Sequence, residues 1–170
     1  MKILLIILIS LSLHADTGTL IKIVDGDTLY FKTHNQKVKC RIEYIDTPES
    51  YQSNKLDKDI SKCNISNKDM LSAGKSATRH AKSFLKLNKQ YEYEVNGKDR
   101  YGRSICVVKL DDTTFNEKMV IDGYATIYRE YMNQTELKYY EAILNKAKNN
   151  RVGLWKDRFE TIECLNEVRR

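Results

Sequence analysis

A small α+β barrel is what the sequence predicts, on two observations. Short runs rich in β-branched and aromatic residues come as a group of three and then a group of two, and segments with helical periodicity follow each group. A chain of 170 residues with one Pro and no repeat suits one domain of ordinary size. Three strands, a helix, two strands and further helices describe a five-stranded Greek-key barrel with about three helices packed at one end, an OB-fold architecture.

The strands follow in order. "GTLIKIV", "TLYFKT" and "KVKCRIEYI" are separated by an Asp-Gly turn and by the polar "THNQK", so they read as consecutive antiparallel strands. Residues 50–69 are polar and read as a loop. In "MLSAGKSATRHAKSFLKL", Ala73, Ala77, Ala81, Phe84 and Leu85 recur at helical spacing. Two strands come next, "QYEYEV" and "GRSICVVKL". The segment "TFNEKMVIDG" has Thr114 as N-cap, Glu117 as capping-box partner and Gly123 as a stop. A longer helix starts near Asn133, with Glu136 at the reciprocal cap position, and runs to "NNRVG".

The first residues, "MKILLIILISLSLHAD", have one Lys, then an apolar and Ser run, then Ala15 as a cleavage position. That is the layout of a secretory signal peptide over residues 1–15, leaving 16–170 as the mature domain. The run is too short to span a bilayer, and no Cys follows it, so export to the periplasm or medium without a membrane anchor is expected. The formal charge of +6 lies almost wholly outside this segment and favours an anionic partner. Four cysteines in an exported chain suggest two disulfides, but their spacing leaves three connectivities open. Strand alternation places Cys40 and Cys106 on the barrel's inner side, where they either bridge or pack as small hydrophobes; if they bridge, Cys63 and Cys164 form the second pair. None of the four forms a CxxC pair, and His34 and His80 lack ligand-like spacing, which argues against zinc.

Chemistry concentrates in three places. In "VDGDTLYF", Asp25 and Asp27 flank a glycine, which on its own reads as a turn in which Gly supplies a positive φ. The third strand ends in "CRIEYIDTPES". Alternation carried through to Pro48 sets Arg41 outside the core, with Asp46, Thr47 and Glu49 clustered at the strand's end. In "GKDRYGRSI", Gly102 permits a tight turn, Asp99 caps it, and Arg103 enters the strand on its surface. The "AGKSAT" stretch lacks the first Gly of a phosphate loop and is set aside.

"DGDT", "RIEYIDTPE" and "DRYGR", in this order along five short strands, resemble the staphylococcal nuclease (thermonuclease) family from about Gly18 to Trp155. The resemblance implies an OB-fold barrel and an exported, calcium-dependent nuclease acting as a monomer on DNA and RNA. By position it implies that Asp27, Asp46 and the carbonyl of Thr47 hold Ca²⁺ with Asp25 nearby. Glu49 is then the general base, Arg41 and Arg103 contact the phosphate under attack, and Arg100, Tyr101 and Tyr131 are substrate-binding. These residue types suit the chemistry, because a phosphodiester gains charge in its transition state and hard oxygen ligands plus two Arg forks stabilise it. Glu49 and Arg103 are expected on a cleft surface, and deleting Asp27 or Asp46 is expected to stabilise the metal-free protein by relieving repulsion. Two departures stand out: the segment between Glu49 and Gly74 is long, and Arg129 stands where an aromatic is often found. The alternatives are an OB-fold module that binds nucleic acid with weak or no catalysis, and a calcium-stabilised structural domain of the envelope.

Overall fold

The computed structural model describes residues 16–34 and 36–169. The expected signal peptide, residues 1–15, lies outside them. Among these residues there are seven strands: β1 Asp16–Ile23, β2 Thr28–Lys32, β3 Lys37–Ile42, β4 Ile45–Asp46, β5 Gln90–Lys98, β6 Ser104–Val108 and β7 Thr126–Ile127. Five of them close into a barrel in the order β1-β2-β3-β6-β5, with β5 returning to β1. All neighbours are antiparallel except β3 and β6, which run parallel with Arg41 beside Ile105. Closure removes the unpaired edges that an open five-stranded sheet would expose.

Alternate residues of each strand fill the interior. Leu20, Leu29, Phe31, Cys40, Ile42, Tyr93, Cys106 and Val108 are buried there, and Phe31 stacks on Tyr93 at 4.7 Å between ring centroids. Cys40 and Cys106 are bridged inside the barrel, and Cys63 is bridged to Cys164, which is the pairing that strand alternation allowed.

The third strand is not continuous to Pro48. β3 stops at Ile42, and the chain turns through Glu43 and Tyr44, the latter at φ 63°. It re-enters extended structure as β4, paired with β7 through Asp46 and Thr126. A left-handed Tyr is costly, and here it is held by its hydroxyl, which donates to Glu136 Oε1 at 2.6 Å, and by its carbonyl, which accepts from Tyr128 N at 2.8 Å. The turn breaks the alternation, so Ile45 is buried rather than facing outward with Arg41.

Among the described residues there are six α-helices where about three were expected: α1 Asn54–Cys63, α2 Asn67–Phe84, α3 Phe115–Ile121, α4 Gln134–Asn149, α5 Leu154–Asp157 and α6 Phe159–Val168. Both predicted capping boxes are present, at Thr114 with Glu117 and at Asn133 with Glu136. The polar segment read as a loop contains α1. Ser53 caps it by accepting from Leu56 N, and Leu56, Ile60 and Cys63 give it one apolar side that joins Met70 and Leu165 in a small second core. The tail is likewise anchored: α6 buries Ile162 and Leu165, and its Cys164 is tied to α1.

Candidate active site

Four segments meet at one end of the barrel: the β1–β2 turn, the end of β3, the β4 strand with the residues after it, and α1. Gly26 in the turn does not use the left-handed backbone that glycine permits. What it provides is room, because a Cβ there would lie 2.8 Å from Thr47 Cγ2. Asp27 can therefore receive Thr47 directly: its Oδ2 accepts from Thr47 N at 2.8 Å and from Thr47 Oγ1 at 3.0 Å. A second close approach fixes the other side. A Cβ on Gly74 of α2 would lie 2.0 Å from Glu49 O, so α2 packs straight onto the backbone that carries Glu49.

Asp25, Asp27, Asp46, Thr47 and Glu49 are all buried. Arg41 bridges two of them, with Nη1 3.0 Å from Asp27 Oδ2 and Nη2 2.9 Å from Asp46 Oδ1. Arg169, at the end of α6, places Nε 3.0 Å from Asp46 Oδ2 and Nη2 2.7 Å from Asp59 Oδ1. Lys55 Nζ lies 3.1 Å from Glu49 Oε1, 3.2 Å from Asp59 Oδ2, 3.3 Å from Thr47 O and 3.4 Å from Asp46 Oδ2. Burial would raise the Asp46 carboxyl, but Lys55, Arg169 and Arg41 outweigh it and hold the group below the usual carboxylate range. Burial pushes the Glu49 carboxyl up, with Lys55 pulling back and Asp27 adding to the rise.

Asp25 makes no ion pair among the described residues, and Arg41 only partly offsets its surroundings. Burial first, then Asp27 and Glu49, push its carboxyl from 3.8 up to about 8. The native state therefore binds more protons than the unfolded chain between those values, and stability falls as pH rises through that window. Asp25→Asn is expected to flatten this dependence and to raise the melting temperature of the metal-free protein at pH 8. Melting curves across pH that run parallel for variant and wild type would contradict this assignment.

The structure shifts the stability expectation for the other aspartates. Asp27 Oδ2 answers a backbone N–H, a hydroxyl and a guanidinium, and Asp46 meets three cations, so deleting either leaves buried partners unpaired and costs stability. Relief of repulsion belongs to Asp25 alone.

Among the described residues no three His, Cys, Asp or Glu side chains converge on one ion position. The cause is the arrangement of cations: Arg41 stands between Asp27 and Asp46, and Lys55 between Asp46 and Glu49. The oxygens are nonetheless of the hard kind that alkaline-earth ions take. Lys55 touches Asp46, the Thr47 carbonyl and Glu49 at once, so three of these oxygens face one cation-sized position. The residues present fit a hard divalent ion.

Arg103 stands apart from the carboxylates. Its Nε is 2.6 Å from Asp99 Oδ2, and Asp99 Oδ1 accepts from the N–H groups of Tyr101 and Arg103, as expected for the cap of this turn. In the parallel β3–β6 register it falls two steps from Arg41, on the same side of the sheet. The exposed Tyr51 feels both groups: its phenol is pushed up by burial and by Asp25, Glu49 and Asp27, with Arg103 opposing. Arg103 is part-exposed, whereas Glu49 is buried beneath Lys55 and Ser53 of α1, whose Oγ donates to Glu49 Oε2 at 3.2 Å. Arg100 lies over the Tyr101 ring at 5.0 Å, and Tyr101 and Tyr131 are 70% and 74% exposed. Tyr131 stacks with Tyr128 at 6.0 Å. Arg129 turns away, toward Glu141 at 3.3 Å and Asn166 Oδ1 at 3.1 Å, and packs as a structural residue.

Lys55, Asp59, Arg169 and Tyr128 are absent from the sequence-derived set. Lys55 and Asp59 carried one faint signal, opposite charges four residues apart. Nothing in the sequence marked Arg169, whose role depends on where α6 ends.

A family model described as staphylococcal nuclease homologue matches residues 39–157. The chain is 34% identical over 152 residues to an uncharacterized protein of Methanocaldococcus jannaschii, covering 81% of this chain and 70% of that protein. It is 28% identical over 162 residues to the micrococcal nuclease of Shigella flexneri, covering 89% and 81%. Over 138 residues it is 30% identical to the thermonuclease of Staphylococcus hyicus, covering 79% and 74%.

Proposed function

The chain belongs to the staphylococcal nuclease family, and from that premise we propose that it is an exported, calcium-dependent nuclease that hydrolyses phosphodiester bonds of DNA and RNA with little sequence preference. The observation that carries the reading is the gathering of Asp27, Asp46, the Thr47 carbonyl, Glu49 and Arg41 at one end of the barrel, with Arg103 on the same side of the sheet. Export is supported by the two disulfides, which persist in oxidising compartments, and by the leader pattern at the N-terminus. Among the described residues no helix is long and apolar enough to cross a membrane.

Asp27, Asp46 and the Thr47 carbonyl are the residues that would hold Ca²⁺, with Asp25 beside them; the ion supplies charge neutralisation to a phosphate oxygen. Arg41 and Arg103 bind the phosphate from one side of the sheet and stabilise the charge that develops on its oxygens. Glu49 takes the proton of the attacking water, and Ser53, whose Oγ donates to Oε2, orients its carboxylate. Arg100, Tyr101 and Tyr131 offer a cationic and aromatic surface on which a single strand can rest.

Incubation of the protein with single- and double-stranded DNA and with RNA, with Ca²⁺ or with chelator, tests this directly. Cleavage with Ca²⁺ and none with chelator is expected. Asp46→Ala should weaken Ca²⁺ binding about tenfold or more in a calorimetric titration, since it removes a charged ligand. Binding of the nucleic acids without cleavage under any of these conditions would favour a binding module instead.

A further inference from the structure

One ammonium already sits on the oxygens assigned to the metal and the base. Lys55 contacts Asp46, the Thr47 carbonyl and Glu49, and Asp59, one helical turn further along α1, supplies a fourth oxygen. Burial opposes the charge, but Asp46, Glu49 and Asp59 together push its pKa above the ordinary lysine value. We propose that Lys55 is the residue that sets the affinity of this site for its divalent ion: its ammonium is the resident cation of the metal-free site, and an ion binds by displacing it. The inference rests on the calcium-dependent reading given above and adds a determinant to it.

Three features suit Lys55 to this role and distinguish it from the other cations. Its side chain is 35% exposed, against 14% for Arg41 and 11% for Arg169, so of the three it has the widest path toward solvent. Its charge ends a flexible four-carbon stem, whereas each arginine spans two carboxylates with a rigid fork. Asp59 is its neighbour on the same helix and lies outside the oxygens assigned to the ion, so the displaced ammonium keeps one partner as it leaves. The helix that presents Lys55 is fixed in place by Leu56 in the second core and by the Cys63–Cys164 bridge, so displacement involves the side chain and not α1.

Displacement has a thermodynamic signature. An ion that must remove a bound cation binds more weakly than it would to the same oxygens left free, and the two occupancies are mutually exclusive. The metal-free protein gains stability from Lys55, because without it Asp46, Glu49 and Asp59 lose a shared counter-charge.

The test is calorimetric Ca²⁺ titration of wild type and Lys55→Met, a change that keeps the stem and the helix preference. The variant is expected to bind Ca²⁺ about tenfold more tightly, and to show a lower melting temperature without the ion but a larger rise with it. A second measurement uses the wild type alone and so does not depend on the variant folding. With ¹⁵N-labelled lysine, one ammonium signal should be protected from solvent exchange in the metal-free protein and lose that protection at one equivalent of Ca²⁺. Equal affinity in wild type and variant, or a protected signal that survives saturation with Ca²⁺, overturns the role of Lys55 and leaves the calcium-dependent reading standing. A wild type that takes up no Ca²⁺ overturns both.

Discussion

Glu49→Gln is expected to lower turnover by about two to four orders of magnitude, the range that a positioned general base contributes, while the protein keeps its fold. The structure explains why this substitution separates chemistry from stability. Glu49 Oε1 faces Lys55 Nζ at 3.1 Å and Oε2 accepts from Ser53 Oγ at 3.2 Å. A glutamine can turn its carbonyl to the ammonium and its amide to the hydroxyl, which has a lone pair to spare after capping Leu56 N. The ammonium keeps its acceptor, the part-exposed Ser53 hydroxyl can turn its hydrogen to water, and the main loss is the ability to take a proton. Arg103→Ala makes the complementary test on the phosphate side. Its guanidinium is paired with Asp99, lies over the exposed Tyr101 ring and is part-exposed, so its removal costs little stability yet should also lower turnover by about two orders of magnitude. Single-turnover cleavage rates beside circular dichroism measure both. Wild-type rates in either folded variant would remove that residue from the chemistry.

The barrel was legible because its information is local. Alternation in β1, β2, β3, β5 and β6 gave the strands and even the inward side of Cys40 and Cys106. Caps at Thr114 and Asn133 marked two helices for the same reason. The failures are tertiary. Alternation could not foresee the left-handed turn at Tyr44, which is held by Glu136 far along the chain. A DG pair implies backbone freedom at its glycine, whereas Gly26 serves to admit Thr47, a contact between residues that only the fold brings together. α1 was hidden because its apolar positions, Leu56, Ile60 and Cys63, are diluted among Lys and Asp. The site divides in the same way. Its carboxylates and arginines fall within short motifs, but the cations that balance Asp46 arrive from α1 and from the chain's far end, where no motif points to them.

Removing the Cys63–Cys164 bridge by a Cys63→Ala/Cys164→Ala pair is expected to cost about 2–4 kcal/mol of stability, read as a lower midpoint in denaturant. The bridge spans 101 residues, so it restrains the unfolded chain over most of the described residues. A chain-entropy argument alone gives somewhat more than 4 kcal/mol for a loop of about that size. The lower end of the range applies because α1 and α6 keep native contacts without it: Leu56, Met70 and Leu165 still pack together, and Arg169 still meets Asp46 and Asp59. Those same contacts predict how the loss is distributed. At room temperature the site should stay assembled and cleavage should remain within about threefold of wild type, because the stability removed acts mainly through the unfolded state. On heating, activity should fail at a lower temperature than in wild type, since unfolding that frees α1 and α6 takes Lys55 and Arg169 from the carboxylates together. Reduction of the wild type gives a control, as the Cys40–Cys106 bridge is enclosed in the barrel core and Cys63 and Cys164 are only part-buried. A denaturant midpoint unchanged in the double variant would show that the helices hold each other without the bridge. A large loss of cleavage at room temperature would show that the bridge positions the site as well as stabilising the chain.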